Sequence, residues 1–246
     1  AKFKTLSHSI KVIRIVNSAL RHSDYFQLRT PTGIGVFLIP YLSVFINKKG
    51  WYKYAGNWNQ KNPPLGYRIQ RWMLKKQSRI VTINGQWKQQ PNHCLTFENP
   101  CLTETDLIRG QSISKKKSID GKITICYVGR LEKQKGVERI IKAVGSLSDK
   151  EKKRIEAVHL VGNGKDIKGF RALSNQTDVP FVFHGFLDRE AVFKIYEKSQ
   201  AFLMPTTASE GFPKVIAEAM NSGCIPVVSN VSSIGQYVID MKTGIL

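Results

Sequence analysis

The chain has 246 residues, 41% of them hydrophobic, and a formal net charge of +20. That is ample apolar material for one or two folded domains, and it argues against a fibrous or low-complexity protein. Its four cysteines, Cys94, Cys101, Cys126 and Cys224, show neither a CxxC pair nor a metal-ligand spacing, so they are expected to be packing residues of a chain from a reducing compartment.

In chain order, strands are expected over 24–29, 51–55, 79–83 and 94–97, with helices over 32–47 and 67–77 between them. The first of these helices holds the longest apolar run, Gly33 to Ile46, with Pro40 in its middle. Fourteen residues fall short of the roughly 20 that a membrane span requires, so the run is expected to be a buried helix, with an interfacial segment as the alternative. Residues 102–121 are polar and rich in Ser and Lys, the composition of a linker. Beyond them, apolar strands (122–128, 157–161, 179–183, 201–204, 225–229) alternate with helices (137–147, 188–199, 212–222), the last with Pro213 in its first turn and Gly223 past its end. Continuous apolar strands alternating with helices imply parallel sheets covered on both faces. The expected fold is therefore α/β, with residues 1–101 as a partial N-terminal domain, 102–121 as linker and 122–246 as a C-terminal domain. The opening at Ala1 without a signal-peptide pattern, and the closing Thr243-Gly244-Ile245-Leu246, which reads as a turn into an unfinished strand, give the expectation of a fragment.

Charge is unevenly spread. Residues 1–90 contain sixteen Lys or Arg and one acid, Asp24. Such a field attracts phosphates on lipid, nucleic acid or a phosphorylated acceptor; the plainer reading is a solvated surface.

Ligands of open parallel sheets bind beyond the carboxyl ends of the strands. Three C-terminal strands run into glycine there, Gly129, Gly162 and Gly185, which lets backbone approach a ligand closely, or serves an ordinary tight turn. Arg130 and Lys135 lie on the loop between the first of these strands and a helix start. Two cations beside a helix N-terminus suit a phosphate, although loops often carry such residues without a ligand. Gly162-Asn163-Gly164 lacks the third glycine of a dinucleotide fingerprint, and no GxxxxGK[ST] is present, so NAD and P-loop chemistry lose their main support. Glu210 and Glu218 have seven residues between them. The first precedes a Gly-Phe-Pro helix start. The second lies in that helix off its apolar stripe, free to face a cleft and accept from sugar hydroxyls. Near Gly211 and Phe212, backbone N–H groups at the helix start can hold ligand oxygens. Singly, the first reads as a helix-start carboxylate and the second as a solvated helix Glu.

The segments VGRLEKQKG (128–136), HLVGNG (159–164), FHGF (183–186) and SEGFPKVIAEAMNSGCIPVV (209–228) together resemble the retaining GT-B glycosyltransferases of family 4. The likeness covers 122–246 well and is vague over 1–101. It implies two Rossmann-like domains with parallel sheets, the N-terminal one and the C-terminal end incomplete here. It implies that Arg130 and Lys135 hold the donor diphosphate, with Gly129 and Gly162 beside them. Glu218 would bind the ribose hydroxyls, Glu210 would stand beside the donor sugar with Gly211 and Phe212, and His184 and Gly185 would border the base. The catalytic work would rest on Glu210, Arg130 and Lys135, with a UDP-sugar or GDP-sugar as donor, no cofactor and no metal. Departures are the missing Gly-rich opening of the N-terminal domain and the absence of a His in WYKYAGNW (51–58), where Gly56, Asn57 and Trp58 would take that wall. Trp51 and Trp58 read equally as core.

The resulting expectation is a glycosyltransferase of cell-surface polysaccharide synthesis, such as lipopolysaccharide or capsule. It would act on a glycan or lipid-linked acceptor at the cytoplasmic, inner face of the membrane, in peripheral contact with anionic lipid. The alternatives are a non-catalytic nucleotide-sugar binder and a basic nucleic-acid-binding protein. Against the latter, no helix-turn-helix, zinc-finger or RNP motif is visible, and no specific nucleic acid is expected as a partner.

Overall fold

The computed structural model describes residues 2–208 and 210–246, with side chains from Ser9 onward. The chain divides into two compact units, one of residues 1–98 and 209–212, the other of 99–208 and 213–246.

The first unit opens with a helix that the sequence reading did not foresee, α1 (Lys2–Arg21), and continues β1 (Phe26–Thr30), α2 (Gly35–Val44), β2 (Gly50–Tyr54), α3 (Leu65–Lys76), β3 (Val81–Ile83) and β4 (Cys94–Thr96). The strands form one parallel sheet in the order β1-β2-β3-β4. Its core gathers Leu38, Ile39 and Leu42 of α2, Leu74 of α3, and Tyr52, Tyr54, Val81 and Ile83 of the sheet. Trp58 is core, as one of its two readings held: it is 4% exposed and packs edge-on against Tyr54, ring centroids 5.0 Å apart. The buried amide of Gln70 donates to the Thr32 and Gly66 carbonyls and accepts from the Thr32 N–H. That satisfies a polar group that would otherwise be costly inside.

The apolar run is not the buried helix expected of it. Leu38, Ile39 and Leu42 face inward, but Pro40 and Val44 are exposed, as are Ile34 and Phe45 at its ends. With hydrophobic residues all round it, α2 can bury only the side that meets the sheet.

The second unit contains α4 (Glu104–Lys116), β5 (Ile123–Val128), α5 (Val137–Gly145), α6 (Asp149–Lys152), β6 (Ile155–Val161), α7 (Ile167–Ser174), β7 (Phe181–Gly185), α8 (Arg189–Lys198), β8 (Ala201–Met204), α9 (Lys214–Asn221), β9 (Ile225–Val228) and α10 (Ile234–Tyr237). The linker expected over 102–121 is corrected by α4. Thr103 and Asp106 form a capping box, each side chain bonded to the other's backbone N–H, and reciprocal capping of this kind fixes a helix start without an apolar stripe. Asp188, at the start of the helix expected over 188–199, caps α8 by accepting from the Ala191 N–H at 2.8 Å. Pro213 stands at the N-cap of α9 instead of inside its first turn, and Gly223 follows the helix with φ +73.

The five strands are parallel in the order β7-β6-β5-β8-β9. Chain order reverses between β5 and β8, so the connections from these two strands run toward opposite edges of the sheet. That is the switch point at which open α/β sheets hold ligands. Near the end of the described chain, Ile245 bridges to Val227 in parallel, beside β9.

Candidate functional site

The loop after β5 is built tightly. Gly129 adopts φ +154 and its N–H bonds the Val161 carbonyl at 3.0 Å. The Tyr127 hydroxyl donates to the Arg130 carbonyl at 2.8 Å. A 3-10 turn over Lys133–Lys135 then ends at Gly136, φ +95, from which α5 starts. Gly136 must be glycine twice over. Its φ disfavours a side chain, and a Cβ there would lie 2.3 Å from the Pro205 carbonyl oxygen. The loop after β8 is tied to the same place. The Gln134 carbonyl accepts from the Thr207 N–H at 2.8 Å and from the hydroxyls of Thr206 and Thr207 at 3.3 Å. Arg139 Nε donates to the Pro205 carbonyl at 2.7 Å. The two switch-point loops are thus bonded to one another.

Arg130 and Lys135 sit on this loop. The Arg130 guanidinium is 69% exposed and pairs with Glu132 at 2.9 Å. An exposed pair of this kind is worth about 0–1 kcal/mol, so an anion with better geometry can take the guanidinium from it. Lys135 is half-buried immediately before Gly136. Both cations lie on the loop that precedes α5, whose first N–H groups lack intrahelical partners.

Gly162 and, two residues on, Gly164 serve tight turns, the second of the two readings. A Cβ on Gly162 would be 1.9 Å from the Gly129 carbonyl oxygen, and one on Gly164 1.9 Å from that of Leu131. The space beside these glycines is filled by protein backbone, so they allow neighbouring loops to close together. Only Gly185, φ +71, keeps its nearest neighbour, the Asn163 side chain, at 3.6 Å. His184 Nε2 lies 2.8 Å from Nδ1 of His159 on the adjacent strand β6. Burial, with Lys198 nearby, lowers the pKa of His184. Burial, Lys198 and His184 together push His159 down to about 4. Both shifts favour the neutral rings, and at this distance one ring nitrogen can donate to the other.

Glu218 lies on α9 and is half-buried. Tyr196 of α8, itself fully buried, donates its hydroxyl toward Glu218 Oε2 at 3.4 Å. Burial raises the Glu218 pKa above the ordinary carboxylate value, while Arg189, Tyr196 and Lys214 pull it back. Arg189 bonds Asp106 at 2.8 Å and the Cys101 carbonyl at 2.9 Å, and Asn221 bonds the Asp106 carbonyl at 2.8 Å. The cap of α4 therefore braces the helix that carries Glu218. None of Tyr196, Arg189 or Asp106 stood out in the sequence; only the Thr103–Asp106 capping spacing was there to be read. Glu210, Gly211 and Phe212 group with the first unit. There a Cβ on Gly211 would meet the Asn84 amide at 2.1 Å and the Ala55 carbonyl at 3.2 Å. Ser209, which opens the quoted signature, lies outside the described residues. Among the described residues no group of three or more His, Cys, Asp or Glu is placed to hold a metal ion, and no helix is long and apolar enough to cross a membrane.

Residues 109–246, more than half of the chain, match the family model described as glycosyl transferases group 1. The chain belongs to that family. An uncharacterized glycosyltransferase of Methanocaldococcus jannaschii is 33% identical over 138 residues, which are 56% of this chain and 35% of that protein. Glycogen synthase of Mycobacterium tuberculosis is 24% identical over 183 residues, 72% of this chain and 43% of the synthase. The chain thus spans less than half the length of these relatives. Among solved structures, HepE of Anabaena in complex with UDP superposes with a TM-score of 0.69 at 16% identity, covering 96% of this chain and 67% of HepE. The pneumococcal O-GlcNAc transferase GtfA, in complex with UDP and GlcNAc, gives 0.68 at 17%, covering 95% and 48%. At that identity the likeness concerns fold: α/β, with two parallel sheets, of the GT-B glycosyltransferase type.

Proposed function

We propose that the protein transfers a sugar from a nucleoside diphosphate donor, as a retaining, metal-independent enzyme of family 4. The observation that carries the reading is the switch point. Two cations, Arg130 and Lys135, stand on a loop that opens a helix there, and the loop of the neighbouring strand, which leads to α9 and Glu218, is bonded to it. The diphosphate would lie on the cations and the start of α5, and Glu218 would accept from the ribose hydroxyls. Glu210, with the backbone of Gly211 and Phe212, would stand beside the donor sugar. Gly129 and Gly162 would shape the phosphate floor, and His184 and Gly185 would border the base. Catalysis then consists of orienting the donor and stabilising charge on the departing diphosphate. UDP in the HepE and GtfA complexes supports a uridine donor. The acceptor in this reading is a glycan or lipid-linked sugar of cell-surface polysaccharide, met at the cytoplasmic face of the membrane.

Calorimetric titration with UDP, GDP and ADP, with and without EDTA, tests this. Saturable binding of one nucleotide, indifferent to EDTA, is expected. Arg130→Ala and Glu218→Ala should each weaken it more than tenfold, about 1.4 kcal/mol. Unchanged affinity in both variants would sink the residue assignment, and nucleotide-sugar binding without turnover by the complete protein would favour a non-catalytic binder.

A further inference from the structure

β5 is the central strand of the second sheet. Tyr127 lies one residue before its end, fully buried and in register with Leu160 of β6. The ring alone would fill this part of the core, since phenylalanine buries the same apolar surface. A hydroxyl taken out of water costs free energy unless it is hydrogen-bonded, and this one is bonded to the loop that follows. It donates to the Arg130 carbonyl at 2.8 Å. That oxygen also accepts from the Glu132 N–H at 2.9 Å, which uses both of its lone pairs. The N–H of the same peptide unit, that of Leu131, bonds the Asn163 carbonyl at 2.9 Å. The 130–131 peptide is therefore held at both ends. Gly129 leaves the room for this: a Cβ there would stand 2.9 Å from the Tyr127 hydroxyl oxygen. Beyond the fixed peptide, the Arg130 guanidinium is exposed and held only by its pair with Glu132.

We propose that Tyr127 is a positioning residue for Arg130: its hydroxyl tethers the peptide that carries the guanidinium to the central strand, and so presents the cation to the diphosphate of the donor. The inference deepens the proposed function and rests on that reading for the diphosphate alone. An arginine on a loose loop gives up backbone as well as side-chain freedom when it meets an anion. With its backbone fixed beforehand, only the side chain remains to be ordered, and less of the binding energy is lost. Tyr127 acts through Arg130 and not on the ligand, because its side chain has no exposed surface with which to touch a donor. Since the apolar ring supplies the packing and the hydroxyl supplies the tether, removal of the single oxygen separates the two.

The test is a double-mutant cycle on the 246-residue chain. Calorimetry reads the affinity for UDP, or for GDP or ADP where the natural chain prefers it, in Tyr127→Phe, Arg130→Ala and the two combined. Tyr127→Phe should weaken binding about fivefold, the worth of one hydrogen bond. In the chain already lacking the guanidinium, the same change should cost less than about twofold, because the two residues act as one unit. Amide hydrogen exchange of the same proteins without nucleotide gives a second readout. Relative to the amides of α8, those of residues 131 and 132 should exchange at least about fivefold faster in Tyr127→Phe. An equal loss of affinity with and without Arg130 would mean a general loosening of the fold and would overturn the proposal. Unchanged relative exchange at 131 and 132 would overturn it as well. A natural chain that binds neither UDP, GDP nor ADP would overturn the donor reading and the role in binding with it, while the exchange ratio would still decide whether the hydroxyl holds the loop.

Discussion

Replacing Gly162 with Ala examines the packing of the strand-end loops directly. The added methyl would lie 1.9 Å from the Gly129 carbonyl oxygen, whereas real contacts of this kind stay beyond 3.0 Å, so the β5 and β6 loops must part. Three backbone bonds hold them where they are: Gly129 N–H to Val161 at 3.0 Å, Gly162 N–H to Gly185 at 2.7 Å and Leu131 N–H to Asn163 at 2.9 Å. Each lost bond costs about 1 kcal/mol. The φ of +126 at Gly162 adds about 1–3 kcal/mol of backbone strain for a residue with a side chain. A loss of about 3 kcal/mol or more follows. The urea midpoint by far-ultraviolet circular dichroism should fall accordingly, and UDP affinity should fall with it, because the same loop carries Arg130. Gly169, inside α7 with nothing within 4 Å of where an added methyl would sit, is the matched control. There Ala should stabilise by about 0.5–1 kcal/mol. If Gly162→Ala left the midpoint at or above that of the natural chain, the packing explanation for these glycines would be wrong.

Two further outcomes are expected. Lys117 Nζ donates to the carbonyls of Tyr196 at 2.7 Å and Ser199 at 2.6 Å, at the C-terminal end of α8; Lys117→Met should cost about 1–3 kcal/mol in chemical denaturation, because the charge-assisted bonds are lost and the carbonyls keep only the Ser199 N–H and the weak Cys224 thiol donor. His159, buried and pushed down to about 4, titrates near 6.5 when unfolded. The unfolded chain takes up the proton first as pH falls, so this contribution is full above about pH 6.5 and is lost progressively toward pH 4. His159→Gln should flatten the fall of the thermal midpoint across that window, and an identical slope in both proteins would refute the assignment.

Much of the second unit was legible because its strands are short apolar runs and its helices carry their own punctuation. Asp188 marks the start of α8, Gly223 the end of α9, and Val137, Ile140, Ile141 and Val144 make the buried stripe of α5. The helix at 104–116 was hidden because it buries only Asp106 and Gly110. With no apolar period, its Ser and Lys content reads as linker, although the capping residues were in plain view. α1 was missed for want of an acidic first turn or a strong apolar stripe. Candidate site residues could be named where the proposed chemistry lies in the loop itself, as at Arg130 and Lys135. Tyr196 was missed because its link to Glu218 joins residues twenty-two positions apart, a proximity that only the packing of α8 on α9 creates. The strand-end glycines could be read either as room for a ligand or as tight turns, since a sequence shows that backbone comes close without showing what it comes close to.

The tie between the two switch-point loops has a consequence for how this protein can change over generations. Its hub is the carbonyl of Gln134, which gathers donors from Thr206, Thr207 and Arg139. That oxygen belongs to the main chain, and every residue type supplies one. Position 134 can therefore drift through many side chains, its own being exposed, while the junction it organises stays in place. The constraint falls instead on Gly136 and on the two threonines. Inheritance of the junction thus depends on the residues around the hub far more than on the residue that forms it.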